Sequence, residues 1–138
     1  MRPPLYLLDT TIFCQPIRPA PNTNCQDHWQ RHGDDRLAVP AIAVAELEYG
    51  LFLKNSGKLW EAYRTILKGR LTVLDFTTET ASAFGEMKAR QTVTGKTIDD
   101  FDLAIAAIAV SHDLIVATLN VRHFKKIEEL KWEDWSKR

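Results

Sequence analysis

Short apolar runs closed by polar residues recur along the chain, separated by longer stretches of helical composition. Residues 5–8, Leu-Tyr-Leu-Leu, end at Asp9 and read as a buried parallel strand. Three prolines and two asparagines over residues 16–24 predict a loop or a broken helix, and residues 25–32 predict one or two helical turns ending at Gly33-Asp34-Asp35. Residues 37–39 form a second strand before Pro40. Residues 41–54 are apolar nearly all round, which predicts a buried helix. Asn55-Ser56-Gly57 breaks it, and residues 58–68 give another helix with Leu59, Tyr63, Ile66 and Leu67 on one stripe.

Residues 71–76 predict a third strand, residues 77–90 a helix, Thr94-Gly95-Lys96 a turn, and residues 99–112 a strongly apolar helix. Residues 114–118, Leu-Ile-Val-Ala-Thr, are the clearest strand. A short helix over 123–130 and a ragged tail holding Trp132 and Trp135 follow. Strands alternating with helices predict an α/β protein, a mostly parallel sheet covered on both faces as a three-layer α/β/α sandwich. With 138 residues and no repeat or linker, one domain spanning 1–138 is expected.

Composition narrows the class only modestly. An apolar fraction of 45% and a charged fraction of 26% are those of an ordinary globular protein. Lys plus Arg and Asp plus Glu both number 18, so the chain lacks the basic excess usual in nucleic-acid binders. If the chain binds a nucleic acid, the affinity must come from local patches, metal ions or an assembled dimer. The apolar run 103–110 is far shorter than the roughly 20 residues that cross a bilayer, so no membrane association is expected. The first six residues do not resemble a signal peptide, and two cysteines make no disulfide framework, which points to the cytoplasm.

Candidate chemistry lies in the acids. In a parallel sheet, ligands bind beyond the carboxyl ends of the strands. Asp9 stands at that end of the first strand, Asn120 just past the end of the last, and Glu46 and Asp102 lie inside apolar helices. Acids are almost never fully buried unless paired or bound to metal. An all-oxygen set without a His/Cys group suits Mg²⁺ or Mn²⁺, and carboxylates around such an ion serve phosphodiester hydrolysis. Each acid also has a plainer reading. Asp9 can cap a helix starting at Thr10. Glu46 neighbours Ile42, Ala43, Tyr49 and Gly50 on a helical wheel, Glu48 neighbours Val44, Leu51 and Phe52, and the wheel does not choose between them. Asp99 and Asp102 share a face, as they do when the first is an N-cap and the second sits at the third helical position.

Four blocks decide more than periodicity does: Leu7-Leu8-Asp9-Thr10, Ala45-Glu46-Leu47-Glu48-Tyr49-Gly50, Asp102-Leu103-Ala104-Ile105-Ala106-Ala107, and Ala117-Thr118-Leu119-Asn120-Val121-Arg122-His123-Phe124. In this order they resemble the signature blocks of PIN-domain proteins, and within them the VapC-like toxins of toxin–antitoxin pairs. The resemblance implies a PIN-like sheet of about five strands and metal-dependent endoribonuclease activity with a 5′-phosphate product. It further implies Mg²⁺ as cofactor with Mn²⁺ substituting, an RNA substrate, a cognate antitoxin, and a homodimer within a toxin–antitoxin assembly.

Carried over by position, the resemblance assigns catalysis to Asp9, Glu46, Asp102 and Asn120 and metal binding to Asp9, Glu46 and Asp102. Asp99 becomes an auxiliary ligand or a cap. It prefers Glu46 to Glu48, because the family acid precedes Leu and stands four residues before Gly. Many relatives have Asp where this chain has Asn120, which removes one charge and points to a single ion. They commonly have Asn where it has Thr11. Thr11, Thr118, Arg122 and Lys125 are the candidate substrate contacts, with Lys126 extending the basic patch. The alternatives are a catalytically weakened protein- or RNA-binding module, and a metal-dependent nuclease with another substrate. Cys25-x-x-His28-x-x-x-His32 has a superficial zinc spacing without a fourth ligand, and Trp29, Trp60, Trp132 and Trp135 are expected in packing.

Overall fold

A computed structural model describes residues 2–138. Five parallel strands form one sheet: β1 (Tyr6–Leu8), β2 (Leu37–Pro40), β3 (Thr72–Leu74), β4 (Ile115–Thr118) and β5 (Trp132–Asp134), in the spatial order β3-β2-β1-β4-β5. Leu7 pairs with Ala38 on one side and Val116 on the other. The chain therefore winds outward from β1 twice, in opposite directions, and the carboxyl ends of β1 and β4 form the topological switch point where parallel sheets open a crevice.

Alternation along β1 sends Tyr6 and Leu8 to one face and Leu7 to the other. On the first face the strands pack against α1 (Thr10–Phe13), α2 (Thr23–His32), α3 (Ala41–Lys54) and α4 (Gly57–Ala62). On the second lie α5 (Thr78–Val93), α6 (Asp100–Ser111) and α7 (Val121–Phe124). Asn55 ends α3 in the left-handed conformation (φ 49°), with its N–H donating to the Leu51 carbonyl at 3.0 Å. Ser56, Thr77 and Asp99 then cap the N-termini of α4, α5 and α6 through their side chains. None of the described helices is long and apolar enough to cross a membrane.

Several expected elements differ. The tail is ordered: Trp132–Asp134 is β5, paired with β4, and Trp135 is fully buried. The helix expected over 123–130 is the four-residue α7 followed by turns, because Ile127 and Leu130 must fold back into the core beside Phe124. The helix expected over 58–68 runs into a π turn, Tyr63–Leu67, which buries Tyr63 and Leu67 but leaves Ile66 exposed. The strand expected over 71–76 shortens to Thr72–Leu74 at the sheet edge, with Phe76 exposed. α3 buries only Ala43, Leu47 and Leu51, and its Tyr49, Phe52 and Leu53 are 65%, 68% and 67% exposed.

Candidate functional site

At the switch point, a cavity of about 320 Å³ is lined by Asp9, Thr10, Thr11, Glu46, Asp99, Asp102, Asn120 and His123. Asp9 ends β1 and also caps α1, so its two candidate roles coexist. Its Oδ1 accepts from the Ile12 N–H at 3.2 Å and the Thr11 hydroxyl at 2.6 Å, and its Oδ2 accepts from the Thr118 hydroxyl at 2.5 Å. The two threonines complete a small network. Thr11 Oγ1 accepts from the Leu119 N–H at 3.1 Å, and Thr118 Oγ1 accepts from the Asn120 N–H at 2.8 Å. Both hydroxyls thus clamp Asp9 to the turn after β4, and Thr118 itself has no exposed surface.

Asp9 is 4% exposed, and burial pushes its carboxyl from the ordinary 3.8 up to about 6, against the three donors that favour the charged form. The nearby Asp102 charge adds to the rise. Asp102 occupies the third position of α6 and meets His123 Nδ1 from α7 at 2.8 Å. Burial raises its carboxyl too, opposed by His123.

Glu46 projects from α3 and accepts from the Thr10 hydroxyl at 2.6 Å. Glu48 turns to the α4 side, where the Tyr63 hydroxyl donates to it at 2.6 Å. The helical wheel leaves these two acids equivalent; the position of Tyr63 separates them. Asp99 lines the cavity rim while its Oδ2 caps α6 by accepting from the Phe101 and Asp102 N–H groups at 3.0 and 3.3 Å. Arg122 and Lys125 are exposed on and just after α7, outside the cavity lining. His123 escapes sequence reading, since a four-residue helix is too short to show a period and the partner lies 21 positions away.

Four carboxylates therefore converge with no Lys or Arg among the described lining residues. Like charges at this range repel, and one of them is almost wholly desolvated. Hard carboxylate oxygens plus an amide are the donor set of Mg²⁺ or Mn²⁺. The residues present fit such an ion.

The second possible metal group does not survive the packing. Cys25 is fully buried in the core rather than beside the histidines. His28, His32 and Glu133 do come within reach of one another. However, His28 Nε2 meets the Lys137 carbonyl at 2.6 Å, and Glu133 accepts from the Tyr6 hydroxyl at 3.0 Å and the Trp135 indole at 3.1 Å. These contacts tie the tail to α2 and β1.

The sequence profile of the PIN domain matches residues 6–130. Ribonuclease VapC2 of Haemophilus influenzae is 35% identical over 130 residues, covering 94% of this chain and 97% of the relative. The structure of FitAcB from Neisseria gonorrhoeae superposes with a TM-score of 0.88 at 26% identity, over 97% of this chain and 100% of that one. VapBC2 from Rickettsia felis, solved bound to a DNA fragment from its promoter, gives 0.81 at 28% identity over 95% and 98%. The matches run nearly end to end and include the strands and helices that carry the acids: the chain belongs to the PIN-domain family, in its VapC group.

Proposed function

We propose that this chain is a Mg²⁺-dependent endoribonuclease, with Mn²⁺ able to substitute, and that it is the toxin of a toxin–antitoxin pair. The observation that carries the reading is that Asp9, Glu46 and Asp102, from three distant segments, line one cavity at the switch point of a PIN-family sheet. The VapC relative is a ribonuclease by name, and the VapBC2 neighbour is a complex bound to promoter DNA. An antitoxin and a homodimer are the partners that likeness supports. The exposed Tyr49, Phe52 and Leu53, on one side of α3, are apolar surface of the kind a partner covers.

Asp9, Glu46 and Asp102 would hold the ion, with Asp99 at the rim. A bound divalent cation acidifies water and neutralises charge on the reacting phosphodiester. Hydrolysis adds water to phosphorus and releases the 3′ oxygen, leaving a 5′-phosphate and a 3′-hydroxyl. Around that reaction the chain supplies positioning. Thr11 and Thr118 fix both oxygens of Asp9, Thr10 holds Glu46, and His123 holds Asp102. Asn120 offers an uncharged carbonyl to orient water, so the site carries one negative charge fewer than an all-acid set, which favours a single ion.

The two helix acids give a sharp contrast. Glu46→Gln is expected to lower RNA cleavage about a hundredfold, with thermal stability nearly unchanged. Glu48→Gln is expected to leave cleavage within about twofold and to cost about 1 kcal/mol of stability through its bond with Tyr63. Initial cleavage rates and urea unfolding of both variants measure this, and an inactive Glu48→Gln beside an active Glu46→Gln contradicts the assignment.

Induced expression of the wild-type chain in a bacterial host is expected to arrest growth, with Asp102→Asn relieving the arrest at equal protein level. Arrest that persists in Asp102→Asn removes the catalytic toxin reading. Absence of arrest together with absence of RNA cleavage favours the binding-module alternative.

A further inference from the structure

A second depression of about 460 Å³ adjoins the acid cavity, and Thr10 and Thr11 of α1 form a wall of both. From that wall it follows α1 and the turn beyond, with Cys14, Ala20 and Leu119 giving it an apolar floor and Arg18 standing over it. Arg18 is exposed and has no carboxylate partner among the described residues, and its guanidinium lies beside the Cys14 thiol. It is the only Lys or Arg among the described residues lining either depression.

The segment bearing Arg18 is held in place. Gln15, buried, donates from its amide to the Thr11 carbonyl at 2.9 Å and accepts from the Asn22 N–H at 2.8 Å. The Arg18 N–H donates to the Gln15 carbonyl at 3.1 Å, so Gln15 ties the backbone of the proline-rich loop together and to Thr11 of α1. An exposed cation with no carboxylate partner among the described residues therefore sits one pocket away from a cluster of acids that itself repels a polyanion.

We propose that this depression is the binding groove for the RNA nucleotide next to the cleaved bond, with Arg18 holding its phosphate and Cys14, Ala20 and Leu119 receiving its base or ribose. The inference rests on the ribonuclease reading above and extends it. A chain of zero net charge must place its cations locally to hold a polyanion. An arginine guanidinium beside an apolar floor offers a phosphate fork and a surface for an unstacked nucleotide.

The test uses the purified full-length chain, Mg²⁺ and a short end-labelled single-stranded RNA, comparing wild type with Arg18→Ala, Arg18→Gln and Arg18→Lys. Arg18→Ala and Arg18→Gln are expected to raise KM about tenfold with kcat within about twofold, and Arg18→Lys to recover part of the loss. The slope of log KM against log salt concentration is expected to fall by about 0.7 in Arg18→Ala, the share of one phosphate contact on a single strand. RNA is expected to slow maleimide labelling of Cys14 in the wild type, while the fully buried Cys25 stays unlabelled in the folded protein.

A wild type that cleaves RNA with KM and salt slope unchanged in Arg18→Ala, or with Cys14 labelled equally with and without RNA, overturns the groove and leaves the ribonuclease reading intact. Loss of kcat at unchanged KM also overturns it. So does loss of neutralisation by a co-expressed antitoxin with RNA kinetics intact, which would mark a protein-binding surface. A wild type that neither binds nor cleaves RNA removes both readings.

Discussion

Asp9→Asn is expected to abolish RNA cleavage, by about a thousandfold or more, while making the protein more stable in EDTA. The two effects have one origin. Asp9 is the most buried of the clustered acids, and its carboxyl rises from 3.8 to about 6 because burial opposes its charge. Below pH 3.8 the acid is neutral in both folded and unfolded chains, and its contribution to stability is fully present. As pH rises through about 6 the folded protein must carry the charge in a desolvated place, and about 3 kcal/mol of stability is lost.

Asparagine removes that cost and keeps an acceptor for Ile12 and Thr11, while the bond with Thr118 reverses, the amide donating to the hydroxyl that donated to Asp9. It also removes a charged ligand from the ion. Thermal unfolding in EDTA is therefore expected to place the variant several degrees above the wild type at pH 7.5. The gap should narrow as pH falls below about 6 and close near pH 3.8. A variant that is less stable than wild type throughout contradicts the electrostatic account of this acid.

Trp135→Ala is expected to cost about 3–5 kcal/mol, a large part of the stability of a small domain. The indole is 0% exposed, with its ring 5.0 Å from His28 and 5.3 Å from Tyr6 between centroids. Its Nε1–H donates to Glu133, and its backbone N–H donates to the Thr118 carbonyl at 3.0 Å, fastening β5 to β4 just behind the acid cavity. Removing the ring opens a void between α2 and the sheet and leaves a Glu133 oxygen unpaired. Trp132, two-fifths exposed at the start of β5, supplies the control: Trp132→Ala is expected to cost less than about 1 kcal/mol. Urea unfolding of the two variants measures the difference, and equal losses contradict the placement of the tail in the core.

The same tail shows where sequence reading stops. The parallel core was legible because β1 and β4 are continuous apolar runs, buried on both faces, and α6 is a long apolar stretch behind an Asp cap. β5 was not legible, since Trp-Glu-Asp has neither the alternation nor the apolar run of a strand, and its pairing is set by Trp135 seeking the core. α3 misled for the opposite reason. Apolar residues all round suggest burial, yet Tyr49, Phe52 and Leu53 face outward on this chain.

The candidate site divides along similar lines. Asp9 and Asn120 announce themselves at strand ends, Glu46 and Asp102 are singled out from neighbouring helix acids only by the family blocks, and all four line one cavity. What sequence could not supply was their support. That Thr118 serves Asp9, that Thr10 serves Glu46, and that His123 serves Asp102 are facts of tertiary approach between residues with no shared period. Equal totals of acids and bases likewise concealed a strongly negative cavity beside a lone arginine.

The most direct test of the central claim is the metal dependence of RNA cleavage by the purified wild-type chain. The account predicts cleavage in Mg²⁺ or Mn²⁺ that yields 5′-phosphate ends, stops in EDTA and returns when Mg²⁺ is added in excess. Cleavage that continues undiminished in EDTA would contradict it, as would RNA that stays intact in both metals.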